Sequence, residues 1–216
     1  MYPNGTGTHS SFFWNGGNGP AAQANVDDVA FIDALLDDLG LAYPVDPKRV
    51  YVTGMSNGAM MAYRLAAELS KRIAAIVPVS GTLATEIGQP KCPVSVLHFH
   101  GTSDEFIPFT GGKGSKSIFG TDYRSVEDSI RLWVKANGCV ETPTIDVLAD
   151  GRDGLRVSRK TYGAGRDGAE VALVVIEGGG HTWPGKKPTA AVLGRSTLTV
   201  SANDLMWEFF QKHKLK

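Results

Sequence analysis

The chain has 216 residues, 42% hydrophobic and 20% charged, a size and composition that suit one globular domain with a full core. Its 22 basic and 22 acidic side chains cancel, so no net field favours nucleic acid or an anionic membrane as a partner. No apolar stretch has the length of a membrane span, the start shows no signal-peptide pattern, and Cys92 and Cys139 are too few for a metal site, leaving one disulfide or two buried thiols.

Residues 1–24, rich in Gly, Asn and Ser around Phe12-Phe13-Trp14, read as a long flexible loop carrying an aromatic patch. Asn25 is placed to cap a helix whose apolar side holds Val26, Val29, Ile32, Leu35, Leu36 and Leu39. Asp27 and Asp28 favour its N-terminus, and Gly40 closes it. Val50–Thr53 reads as a short buried strand, followed by a helix from Asn57 to about Ser70. Ile73–Val79 and Val94–Phe99 are two further apolar strands. Ser125 caps a helix running through Lys135 with Val126, Ile130, Trp133 and Val134 inward. The stretch from Ile145 to Tyr162 alternates around Asp150-Gly151-Arg152-Asp153-Gly154, the pattern of a hairpin. Val171–Ile176 is a strand, and Ser201 opens a C-terminal helix through Leu205, Met206, Phe209 and Phe210. Strands alternating with helices predict an α/β fold, a mostly parallel sheet flanked by helices, as one domain over 1–216. Ligands of such sheets sit beyond the carboxyl ends of the strands.

Between the first strand and its helix stands Gly54-Met55-Ser56-Asn57-Gly58, the pattern of a nucleophile elbow, which lifts a serine hydroxyl clear of the sheet. Side chains at both 54 and 58 are expected to collide with neighbouring backbone. A serine needs a base to take its proton, and the base needs a carboxylate to fix its tautomer. Downstream, the strand at 94–99 runs into His100-Gly101-Thr102-Ser103-Asp104, and the strand at 171–176 into Gly178-Gly179-Gly180-His181-Thr182-Trp183-Pro184. Ser56, Asp104 and His181 therefore follow the chain order of an α/β-hydrolase triad, with Glu105 the neighbouring rival acid. Asn57 would give one oxyanion donor through its backbone N–H. Trp14 and Trp183 are candidates to contact an apolar acyl or phenolic group, with local packing the competing role.

His98 and His100 share a strand face, but no third ligand has a workable spacing. They are expected to hydrogen-bond within the loop that positions Asp104 rather than hold a metal. His9 and His213 read as surface residues. The N-terminal glycines are expected to follow no strand and open no helix, which argues against a phosphate cradle. No cofactor is expected.

Tyr2-Pro3-Asn4-Gly5, Trp14-Asn15, Val26-Asp27-Asp28-Val29, the elbow, His100–Asp104 and Gly179–Pro184 together resemble secreted esterases of the polyhydroxybutyrate depolymerase and feruloyl esterase group, within carbohydrate esterase family one. The resemblance implies an α/β-hydrolase fold, secretion, and metal-free cleavage of carboxylic esters, possible polymers included, through an acyl-enzyme on Ser56, Asp104 and His181. Such relatives begin earlier, with three more strands and a loop that supplies the second oxyanion donor, so the chain reads as N-terminally truncated. They often carry a cysteine near the position of Gly165, a partner for one matching Cys139. Because the third strand of that fold pairs with the elbow strand, Val50–Thr53 is expected to be an exposed edge, covered in a homodimer or belonging to a fragment of a longer protein. A polymer-binding homologue without full catalytic power is the alternative function.

Overall fold

The computed structural model describes residues 1–8, 11–86, 88 and 90–216. His9, expected at the surface, lies outside the described residues. The N-terminal segment is more structured than expected: β1 (Thr6–Thr8) pairs antiparallel with β2 (Ser11–Phe13), and α1 spans Gly19–Gln23. Three-residue strands and one helical turn leave no periodicity for a sequence to show, so the pairing of Thr6 with Phe13 was invisible there.

Helix α2 (Asp28–Ala42) is capped by Asp27, whose side chain accepts from the Ala30 N–H, and not by Asn25. Asn25 instead holds a left-handed turn, φ 50°, at the exit of α1. Gly40 lies inside the helix, which stops at Tyr43, just before Pro44. One glycine weakens a helix by only about 1 kcal/mol, and a proline ends it.

The central sheet takes β3 (Tyr51–Met55), β4 (Ala75–Val79) and β5 (Ser95–Gly101). It continues with β8 (Thr144–Asp150), β9 (Arg156–Tyr162) and β10 (Val171–Ile176), in the order β3-β4-β5-β10-β9-β8. The first four are parallel; β9 and β8 form the expected antiparallel hairpin on the far side. A small ribbon, β6 (Gly112–Lys113) with β7 (Asp122–Tyr123), lies outside this sheet. Helices α3 (Asn57–Glu68) and α4 (Val126–Asn137) cover one face, and α5 (Ala202–Lys212) the other.

Alternation along the strands feeds both cores. Ile76, Val96 and Leu173 pack with Tyr63 of α3 and Trp133 of α4, while Val77, Phe99 and Val174 pack with Phe209 and Phe210 of α5. Ser125 accepts from the Asp128 N–H to cap α4, as its sequence predicts, and Gly138 ends it in the left-handed conformation. Both cysteines are free thiols, Cys139 buried and Cys92 half-buried. His213 is not a surface residue: its side chain is 11% exposed, with Nδ1 3.1 Å from Ser95 Oγ and Nε2 3.3 Å from Glu170 Oε1. The chain end folds back there, since Tyr51 donates its hydroxyl to the His213 carbonyl.

Candidate active site

Ser56 joins β3 to α3 at φ 57° and ψ −121°, a strained conformation for a residue with a side chain. Its N–H donates to the Val79 carbonyl at the end of the neighbouring strand, and its carbonyl accepts from Ala59 and Met60 at the start of α3. The turn needs close backbone approach: a Cβ on Gly54 would lie 2.5 Å from the Gly58 carbonyl carbon, and one on Gly81 would strike the Ser56 carbonyl. At Gly58 the expected collision is absent, because a Cβ there meets nothing within 4 Å. Gly58 offers its backbone to Gly54, while its own missing side chain points into open space.

The carboxyl ends of β5 and β10 bring the other two residues together. Thr102 N–H donates to the Ile176 carbonyl, Ser103 N–H to the Gly179 carbonyl, and Gly178 N–H to Thr102 Oγ. A side chain at position 101 would clash with Gly179, so this zipper closes only on glycine. Asp104 Oδ2 then lies 2.8 Å from His181 Nδ1. Asp104 Oδ1 accepts from the N–H groups of Phe106 and Ile107, both at 2.9 Å, which fixes the carboxylate's second oxygen. The imidazole leans on the Phe106 ring, centroids 5.0 Å apart. Glu105 is exposed and pairs with Lys116.

Burial alone would raise the Asp104 pKa, but the hydrogen bond and positive potential from His181, with smaller help from His100 and the Ile107 N–H, hold it below the ordinary carboxylate value. An ionised Asp104 accepts from Nδ1–H and leaves His181 Nε2 as the basic nitrogen. Ser56 is half-buried, and its hydroxyl makes no hydrogen bond among the described residues, with His181 or otherwise. The structure thus bonds His181 to Asp104 and sets Ser56 at the same carboxyl end of the sheet, on a strand two positions from β5 and three from β10.

The aromatic loop is anchored, not flexible. Trp14 N–H donates to Asn57 Oδ1 at 2.7 Å and Asn57 Nδ2 donates back to the Trp14 carbonyl at 2.9 Å, an amide pairing that imitates a strand contact. Asn15 N–H donates to the buried Asp28 carboxylate, and Arg64 to the Asn15 carbonyl. The Trp14 ring stacks on Phe31 of α2. Trp183 packs against the α5 core and donates its indole N–H to Asn203.

His98 and His100 lie on the β5 face that meets α3. His98 Nδ1 is 2.8 Å from the Tyr63 hydroxyl, His98 Nε2 is 3.0 Å from His100 Nδ1, and His100 Nε2 is 2.8 Å from the Ile107 carbonyl and 3.5 Å from Asp104 Oδ2. Burial lowers the pKa of both imidazoles, His98 strongly, and raises that of the Tyr63 hydroxyl.

Residues 22–130, about half of the chain, match the phospholipase/carboxylesterase family. The chain belongs to that family of α/β-hydrolases. Feruloyl esterase B of Piromyces equi is 30% identical over 184 residues, covering 78% of this family member and 33% of itself. A "Probable feruloyl esterase C" of Aspergillus niger is 32% identical over 197 residues, 91% of this chain and 62% of its own. The family member therefore spans between a third and two thirds of these relatives. An acetyl xylan esterase from Aspergillus awamori shares the fold with a TM-score of 0.55 at 17% identity, over 85% of this chain and 67% of that one.

Sequence reading of this carboxylesterase-family chain missed the support behind its histidine loop. Gly180 N–H donates to the Arg195 carbonyl and Gly185 N–H to the Thr197 carbonyl. That 195–199 segment is held by Asp153, whose Oδ2 accepts from Thr197 Oγ1 at 2.7 Å, the Leu198 N–H and Thr199 Oγ1. Asp153 looked like an ordinary turn residue because its partners lie over forty positions downstream.

Proposed function

We propose that the protein is a carboxylic ester hydrolase working through Ser56, His181 and Asp104. His181 Nε2 takes the Ser56 proton as Oγ attacks the ester carbonyl, and Asp104 holds the imidazolium that forms. The Asn57 N–H, at the first position of α3, meets the developing oxyanion together with the helix's positive end. Collapse expels the alcohol, protonated by His181; water then enters, gives its proton to the same nitrogen, and releases the acid from Ser56. The observation that carries this reading is the strained Ser56 turn at the same carboxyl end of the sheet as the 2.8 Å Asp104–His181 contact. Hydroxyl-to-base contacts in unliganded sites are commonly long and tighten when substrate binds.

The relatives' names and two half-buried rings support a substrate class. Trp14 is tied to Asn57 beside the nucleophile, and Trp183 stands two residues past the base. Flat phenolic acyl groups, as in feruloyl esters of cell-wall polymers, would suit such rings, with short acyl esters also accepted. Action outside the cell belongs to the same proposal. Hydrolysis of p-nitrophenyl acetate and methyl ferulate by the parent and by Ser56→Ala tests it. The variant should lose kcat by about 10⁴-fold or more with its fold intact. Activity within tenfold of the parent would remove Ser56 from the mechanism.

A further inference from the structure

We propose that Tyr63, His98 and His100 form a one-way hydrogen-bond chain behind the Asp104 loop, with His100 a positioning residue for Asp104 and, through it, for His181. The proposal rests on the triad reading above and adds Tyr63, the order of the protons and a consequence for catalysis to the loop bonding expected of the two histidines.

A single backbone carbonyl sets the direction. The Ile107 oxygen can only accept, so the nitrogen 2.8 Å from it, His100 Nε2, must carry a proton. A neutral His100 then has a bare Nδ1, which requires a donor, and the one at 3.0 Å is His98 Nε2–H. That leaves His98 Nδ1 bare, and the Tyr63 hydroxyl donates to it at 2.8 Å. Every polar atom of the three side chains is then satisfied without a buried charge. The reverse order would turn the His100 Nε2 lone pair toward the Ile107 carbonyl and toward Asp104 Oδ2, 3.5 Å away. Protonating either ring would bury a cation in side chains that are at most 1% exposed, a large cost without a facing carboxylate in good geometry. The ionisable groups facing His98 are Tyr63 and His100; those facing His100 are His98, Asp104 and His181.

The chain acts on catalysis by closing the loop from behind. Asp104 Oδ1 grips the Phe106 and Ile107 N–H groups, and His100 grips the Ile107 carbonyl. Residues 104–107 are thus held through both sides of one peptide turn, and Oδ2 is left aimed at His181. The two imidazoles lie edge to edge and nearly coplanar, centroids 5.2 Å apart and 7° from parallel, which gives this support little freedom to tilt. Loss of the grip should let the carboxylate swing, and misplacement of a catalytic group by about 1 Å can cost about 10²-fold in rate.

Long-range proton–nitrogen NMR of the protein labelled with ¹⁵N-histidine tests the order directly. His98 and His100 should both carry one proton, on Nε2, from about pH 5.5 to 8, while unconstrained histidines titrate in that range. Kinetics test the positioning. His100→Leu should lower kcat about 30-fold with KM within about twofold. His100→Gln, whose amide can still donate to Ile107, should recover most of that loss, and Tyr63→Phe should give a smaller fall. Either imidazole protonated on Nδ1 or titrating in that range, or Leu and Gln variants of equal activity, would overturn the proposal. If the Leu variant fails to fold, the spectra of the unmodified protein and the Tyr63→Phe rate decide. Unchanged hydrolysis by Ser56→Ala would instead fell the triad reading, an outcome these spectra do not share.

Discussion

Gly54 and Gly58 look equivalent in a G-x-S-x-G motif, yet the fold uses them differently. Strand β3 enters the elbow hard against the outgoing helix, so a methyl group at 54 would lie 2.5 Å from the Gly58 carbonyl carbon, whereas one at 58 meets open space. Gly54→Ala should therefore destabilise by about 2–4 kcal/mol, and Gly58→Ala, which replaces a helical glycine, should stabilise by about 0.5 kcal/mol. Urea unfolding of the two variants separates them, and equal losses would contradict the asymmetry. Acid sensitivity is also set by single residues. His98 and His100 have folded pKa values below that of an exposed histidine, His98 far below. The unfolded chain then binds more protons below about pH 6.5, and stability falls as the pH drops, by up to about 1.4 kcal/mol per pH unit for each histidine. Asp104, with its pKa depressed, adds a loss in the same direction only below about pH 4. Thermal melts between about pH 8 and 5 should show Tm falling on acidification, and a flatter profile in His98→Gln.

At the scale of elements, legibility followed the distance of the deciding interaction. Helix α4 was readable from its Ser125 cap through Lys135 because cap and periodicity both act within a few residues. The strand Val171–Ile176 was readable as an unbroken apolar run, buried on both faces. The start of α2 was not, because Asp27 outcompetes Asn25 only once α1 has turned the chain there. Asp104 and His181 could be paired by chain order, but the glycine contact between 101 and 179 that lets their loops meet is purely tertiary. The 195–199 segment behind the histidine loop was illegible for the same reason. Asp153→Ala should free that segment, since Thr197, Leu198 and Thr199 lose a common acceptor. Hydrogen exchange should then quicken at the Gly180 and Gly185 amides, which donate into the segment, while amides of β4 and β5 keep their protection. Unchanged exchange at both glycines would show that Asp153 is not the latch.

At the scale of the whole molecule, the two edges of the sheet are built differently. Strand β8 is defended: its register shifts between Val147 and Ala149, and Asp146 and Asp150 bring charge to it, Asp146 paired with Arg159. Strand β3 carries Tyr51-Val52-Thr53-Gly54-Met55, without a charge, a proline or an irregular register, and its one strand partner among the described residues is β4. An undefended edge of five residues is a template for another strand. We propose that a second copy of the chain supplies it, edge to edge. The edge ends next to Ser56, so the association would also place a partner's backbone beside that residue. Light scattering at about 10 μM should give about twice the 23.0 kDa of one chain. Thr53→Lys, which sets a charge at the exposed middle of β3, should return it to one. A clean single-chain mass for the parent at that concentration would rule this pairing out.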